Sequence, residues 1–315
     1  LVLMQLGKTD ETVAAYREAI PLLHALNNQR DLGLVSSGLG RLYMRMGNYT
    51  QAQSYLEQAL TAVQATGAKE AIANALSNLG YFYKTKGLYE QAIAHFQKTL
   101  TICQQINHKR GVAVSSGWLG VVHYEQGEFE AARQRYEQSL QLSKEIGNET
   151  DIAIFLANLG DVAKSVQQYE QAWDYNQEAL DILRAIDHKQ HLAEIMLKQV
   201  EIRFIEGNFE QAQLLLAEAH QLGESVKDQS VIFNGRLLEA RLQYKLGEAE
   251  TAVAALHAML SDFPQDKFQA EIRFYLWQMT GEEGEKETAV SLYQTLLDKT
   301  PNHQYRQYLA TLLEA

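Results

Sequence analysis

The sequence predicts an all-α protein, a solenoid of stacked helical hairpins, on three observations. Pro accounts for only 3 of 315 residues, well below the roughly 5% usual in proteins. Pro breaks helix interiors, so its scarcity suits long uninterrupted helices. Hydrophobic residues make up 46% of the chain and charged residues 21%, which allows a large buried core and does not fit a disordered segment. The chain also repeats. Gly7, Gly47, Gly87 and Gly127 stand forty residues apart, Gln167 takes the next slot, Gly207 and Gly247 resume the grid, and Gly284 follows a shorter step. A period of this size is the signature of repeat architectures.

Each slot carries the same companions. Five residues later stands Thr12 in the first copy, then Ala52, Ala92, Ala132, Ala172, Ala212, Ala252 and Ala289. Two residues later stands Tyr49, Tyr89, Phe129, Tyr169 or Phe209, and seven residues earlier Gly40, Gly80, Gly120 or Gly160. Residues 1–30 form a truncated first repeat that lacks most of its first helix, and Pro21 is expected to kink or shift the second. Repeats two to seven fill 31–266, the last repeat 267–301, and a capping helix 302–315. In the third unit, Ala75, Leu76, Leu79, Phe82 and Tyr83 recur at helical spacing. Gly87 ends that helix, because Gly takes the left-handed conformation cheaply. A second helix runs from Tyr89 to about Ile106, with Ala92, Ile93, Phe96 and Leu100 on one face. Gly80 and Ala92 lack bulk where the two helices approach, and Phe96 fills the space beside them. One hairpin cannot bury both of its apolar faces, so neighbours must stack. Units six and seven depart from this pattern, with Gln199-Val200 and Glu239-Ala240 in place of Leu-Gly. Residues 303–314 close the chain as a helix with Tyr305, Tyr308, Leu309 and Leu312 on one face.

Leu79-Gly80, Tyr83, Gly87, Tyr89, Ala92, Phe96 and Thr99 together resemble the tetratricopeptide repeat, and Leu39-Gly40, Tyr43, Gly47, Tyr49, Ala52, Leu56 and Ala59 do the same one unit earlier. The usual closing Pro survives at Pro264 and Pro301. Gln64, Gln104, Lys144 and Arg184 replace it elsewhere, so the second helix can run on, which accounts for the longer unit. This long form is similar to kinesin-light-chain arrays and to bacterial regulators of the Rap type. The resemblance implies non-catalytic binding of a protein or peptide segment in a concave groove lined by the first helices. It also implies an alternative, the C-terminal sensor or regulatory module of a larger bacterial signalling ATPase, kinase or cyclase.

By that resemblance the inward positions are Asn74, Asn78, Tyr81 and Thr85 in the third unit, and Val114, Trp118, Val121 and Glu125 in the fourth. The fifth supplies Ile154, Asn158, Asp161 and Ser165, the second Arg41 and Arg45, and the seventh Asn234, Arg241 and Lys245. The peptide-binding set is therefore Arg41, Arg45, Asn74, Asn78, Tyr81, Trp118, Asn158, Asp161 and Arg241. Asn is a mediocre helix former, so Asn78 and Asn158 need another reason for standing mid-helix. An amide both donates and accepts, and can hold a ligand's backbone or, alternatively, a neighbouring helix or water. Trp118 shares their slot, as an anchor for an apolar side chain or as packing. The Lys slots of the carboxylate clamp hold Ser37, Ser77, Gly117 and Ala157, which argues against recognition of chaperone tails.

Other chemistry is not expected. No phosphate-cradling loop or nucleophile elbow is present, so the chain reads as a non-enzyme without cofactor. Ser36-Ser37-Gly38 and Ser115-Ser116-Gly117 lie on first helices and read as packing. His188 and His191 lack a third metal ligand, and His108 and His188 fall in equivalent linker slots, as capping or solvated residues. Cys103, the only cysteine, reads as core and excludes an internal disulfide. A net charge of −11 disfavours nucleic acid, which calls for a basic footprint. No stretch reaches the roughly 18–20 apolar residues of a membrane span. Leu1 to Met4 is too short for a signal-peptide core, and the expected location is cytoplasmic. The start at Leu1 suggests that something upstream was removed.

Overall fold

A computed structural model describes residues 9–314. All regular structure among them is helical: sixteen helices and no strand. The first six are α1 (Thr9–Ala25), α2 (Gln29–Arg45), α3 (Tyr49–Thr66), α4 (Lys69–Thr85), α5 (Tyr89–Gln105) and α6 (Lys109–Gln126). Then come α7 (Phe129–Ile146), α8 (Glu149–Ser165), α9 (Tyr169–Ala185), α10 (Lys189–Ile205) and α11 (Phe209–Val226). The last are α12 (Gln229–Lys245), α13 (Ala249–Asp262), α14 (Asp266–Thr280), α15 (Glu283–Lys299) and α16 (His303–Glu314). They follow one another as helical hairpins on the expected grid. Two compact units result, one ending at Val122 and the other beginning at His123.

The turn inside each hairpin follows from one left-handed residue. Gly87 has φ 69°, and its N–H is bonded to the Lys84 carbonyl at 2.9 Å. Gln167 takes the same conformation at φ 63°, so the fifth unit keeps its turn with a side chain in a region that favours Gly. In the last repeat the grid misplaces the turn. Gly281 caps α14 at φ 73°, whereas Gly284 lies in the first turn of α15. Gly7 lies outside the described residues. Pro21 lies inside α1, which continues to Ala25.

The expected contact between small and large residues is present. A Cβ on Gly80 would sit 2.7 Å from the Phe96 ring, and one on Gly40 2.7 Å from Leu56. Both partners are buried, as are Ala52 and Ala92. Ser36, Ser115 and Ser116 are buried in the same way, and Cys103 is buried against Gly111. The first unit's core gathers Leu39, Leu56, Leu79, Phe96 and Leu119. The second has one cluster around Leu156, Leu180, Met196 and Leu216 and another around Phe233, Leu256, Leu276 and Tyr293. α16 packs on the latter with Leu312 fully buried, Tyr308 4.7 Å from Phe274 and Tyr305 5.9 Å from Tyr293 between ring centres.

These close approaches set two expected stabilities of opposite sign. Gly80→Ala should cost about 1–3 kcal/mol by overpacking Phe96, and Phe96→Leu in the same chain should return part of the loss. Gln167→Gly should gain a fraction of the roughly 1–2 kcal/mol that left-handed backbone costs an L-residue. Denaturant melts of the three variants read both effects.

Candidate functional site

In the first unit, α2, α4 and α6 present one face to a pocket of about 440 Å³. Arg41, Met44 and Arg45 line it from α2, Ser77, Asn78, Tyr81 and Thr85 from α4, and Trp118 from α6. Spacings of three and four residues place such side chains along one helix face. Trp118 lies parallel to Phe96 at 5.9 Å and meets Tyr81 edge-on at 5.1 Å. It is therefore both packed and part of the pocket wall. Thr85 donates to the Tyr81 carbonyl at 2.8 Å. The remaining polar groups are unspent. Arg41, Arg45 and Asn78 have no ion pair or hydrogen bond to any described residue, and both arginines are exposed. Asn74 is exposed on α4 but does not line the pocket.

The second unit holds Asn158, Asp161 and Arg241 in a different setting. Asn158 is half-buried and its amide has no described partner. Asp161 is already engaged, accepting from the Lys198 ammonium at 2.6 Å. Beside it Lys164 donates to Glu201 at 2.5 Å. Burial disfavours charge on both, yet each holds the other ionised: Glu201 stays below the usual carboxylate range and Lys164 above the usual ammonium range. The Arg241 guanidinium lies 4.6 Å from the centres of the Phe204 and Tyr275 rings, with Glu201 at 4.0 Å. Glu271 accepts from the Tyr308 hydroxyl at 3.2 Å, and burial, which Arg241 only partly offsets, pushes its carboxyl up to about 7.

Lys164, Lys198, Glu201, Glu271 and Tyr308 are absent from the sequence-derived set, although the repeat held a signal for two of them. Asn78, Trp118, Asn158 and Lys198 stand forty residues apart, and so do Tyr81, Val121, Asp161, Glu201 and Arg241 along the neighbouring slot. His188, expected as a capping or solvated residue, stands at the N-cap of α10 without a side-chain cap bond and stacks on His191 at 4.7 Å. No group of three or more His, Cys, Asp or Glu suited to a metal occurs among the described residues. Nor is any described helix long and apolar enough to cross a membrane.

Glu271 makes stability depend on pH. Its carboxyl titrates higher folded than unfolded, so the folded state binds the extra proton. That contribution is complete below the ordinary carboxylate pKa and is lost as pH rises through about 7. Unfolding free energy should decline across this window by on the order of 1–3 kcal/mol. Glu271→Gln should flatten the slope and be the more stable chain above neutrality, as read from melts at several pH values.

A family model described as the MalT-like TPR region matches residues 33–313. A search of curated proteins by sequence gives no match. Among solved structures, the apo quorum sensor NprR from B. thuringiensis is 18% identical with a TM-score of 0.69, over 91% of this chain and 82% of that one. A Rap protein complexed with competence and sporulation factor is 14% identical with a TM-score of 0.67, over 96% and 86%. A signal transduction ATPase with a tetratricopeptide repeat sensor from Pyrococcus horikoshii is 18% identical with a TM-score of 0.64, over 84% of this chain but only 42% of that one. These three share the fold. By the match over most of its length, the chain belongs to the MalT-like tetratricopeptide repeat family.

Proposed function

We propose that the chain is a non-catalytic binding module that takes an extended protein or peptide segment along the inner face of its first helices, anchored in the first-unit pocket. One observation carries this reading: Asn78, Arg41 and Arg45 are unpaired in a single pocket walled by Tyr81 and Trp118. The Asn78 amide matches a backbone C=O and N–H together, whatever side chains the segment carries. The two guanidiniums favour an acidic residue beside it, and the rings a neighbouring apolar side chain. In the second unit Asn158 is a further candidate position without a partner among the described residues, whereas Asp161 is already engaged by Lys198; in the first unit Asn74 does not line the pocket. The Rap structure complexed with competence and sporulation factor is a relative by fold with a partner bound, and accords with this reading. The single cysteine is buried, which suits a reducing compartment, and the cytoplasm is the proposed place of work.

A second reading has its own support. The archaeal signal transduction ATPase is matched over 42% of its length, and its description names a repeat sensor. On that reading the same binding face serves as the sensor of a larger signalling protein, and a nucleotide-binding domain in the same open reading frame would distinguish it.

The test is binding of extended peptides, in acidic and neutral series, to the wild-type chain and to variants. Asn78→Ala should weaken an acidic peptide by about two- to tenfold for each hydrogen bond removed. Arg41→Ala with Arg45→Ala should reduce both the on-rate and its salt dependence. Melting should barely change, since these side chains support no described contact. Unchanged affinity at unchanged stability would move the partner to another face. A large fall in melting temperature would make Asn78 structural.

A further inference from the structure

The second unit contains a cavity of about 410 Å³ between α10, α12, α14 and α16, lined among others by Lys198, Glu201, Asn234, Arg241, Glu271 and Tyr308. Its size falls within the range of small-molecule sites. Two cations at or beside it are closed in short ion pairs, Lys198 with Asp161 and Lys164 with Glu201. Arg241 is held more loosely. Its side chain is 15% exposed, and the nearest carboxylate oxygen, at 4.0 Å, is beyond hydrogen-bond distance. No described residue accepts a hydrogen bond from it. A guanidinium carries five N–H donors in a plane, and those of Arg241 reach the cavity's solvent rather than an acceptor among the described residues.

The two rings explain how it is held. Phe204 and Tyr275 lie at equal distances from the guanidinium carbon and hold it by cation–π attraction. They supply no acceptor for its N–H groups. That fork is the geometry that pairs with a carboxylate through two parallel bonds. We propose that this cavity is a binding site for a small carboxylate-bearing molecule, with Arg241 as its clamp and α16 as one of its walls. A carboxylate fits better than a phosphate. A phosphate dianion would bring two charges against Glu194, Glu201 and Glu271, whereas a carboxylate brings one, and burial raises the Glu271 carboxyl to about 7. Asn234 adds a donor, and Leu197, Val231, Leu237 and Leu238 offer an apolar side to the ligand's hydrocarbon.

The site also reports on α16. Gln304 and Tyr308 belong to that helix and line the cavity. The helix is held by Leu312, which is fully buried, and by Tyr305, Tyr308 and Leu309 packed on the same core, and a ligand touching both walls adds to that hold. This site is independent of the segment-binding pocket in the first unit and stands or falls separately from it.

The probes are sodium acetate, succinate and triglycine, each against sodium chloride at equal ionic strength, with triglycine amide and inorganic phosphate as controls. Carboxylates at tens of millimolar should raise the melting temperature and slow amide hydrogen exchange across residues 303–314. A stronger effect of succinate indicates a small organic acid, and of triglycine a peptide C-terminus. Arg241→Met should weaken the best carboxylate about tenfold to a hundredfold, with Arg241→Lys intermediate because an ammonium lacks the fork. Asn234→Ala, at an exposed position, provides a second variant whose fold is not at stake and should weaken binding several-fold. Absence of any shift with all three carboxylates overturns the proposal. So does an equal shift by triglycine amide, or carboxylate binding that survives Arg241→Met.

Discussion

The contact on which the rest depends is the close approach of the two helices within a hairpin at a residue without a side chain. At Gly80 a Cβ would stand 2.7 Å from the Phe96 ring. Nothing larger fits without moving Phe96, and Phe96 is itself fully buried. This brings α4 and α5 together along their small residues and fixes their rotation about their own axes. That rotation decides which side chains face the core and which are left on the other side. Asn78 and Tyr81 flank the Leu79-Gly80 pair, so the close packing that buries the pair also turns its neighbours toward the pocket.

The same constraint is met with different chemistry along the chain. In the fifth unit Gly160 approaches Asn176 instead of an aromatic or aliphatic residue, and Asn176 is buried with its Oδ1 unbonded to any described group. In the sixth, Gln199 stands where Leu stood and is buried, its amide donating to Gln177 at 3.1 Å. Buried amides cost more than methyl groups unless they are satisfied. The later repeats thus keep the hairpin while giving up part of its apolar packing. The polar residues also face other polar residues on the inner side, through Asp161 with Lys198 and Lys164 with Glu201.

The fold was legible in the sequence because its determinants are local and repeated. A Gly at the turn, a small residue five positions on and an aromatic between them mark the regular hairpins, and the irregular copies keep enough of these to stay on the grid. The failures were local too. Gly284 matched the grid by its distance to Ala289, while the left-handed turn had shifted to Gly281, where the shorter last repeat ends its first helix. The site was legible only in part. The resemblance to the repeat family assigned Asn78, Tyr81 and Trp118 to one face, and the three line one pocket. It did not show that Asp161 is neutralised by Lys198, since that pair joins α8 to α10 across 37 residues, and a charge partner one repeat away leaves no mark in a window of one helix.

What separates the two candidate faces is how much of their polar capacity the protein consumes. On the inner side of the second unit, Lys164 and Lys198 each meet an anion within 3 Å. Such pairs, half-buried and mutually hydrogen-bonded, hold neighbouring repeats in register and have little left to offer a ligand. In the first unit the comparable positions carry Arg41, Arg45 and Asn78 with nothing opposite them. An exposed arginine can be supplied by water at little cost, so lack of a partner there is a weak constraint on its own. It becomes informative beside Trp118, whose ring is half-buried between Phe96 and Tyr81 and yet lines the same pocket. A rigid aromatic surface next to unspent donors is what an interface anchor requires. Arg241 is the converse case: a guanidinium held between two rings with no hydrogen-bond acceptor among the described residues, where specificity would rest on one fork of donors rather than on a row of them.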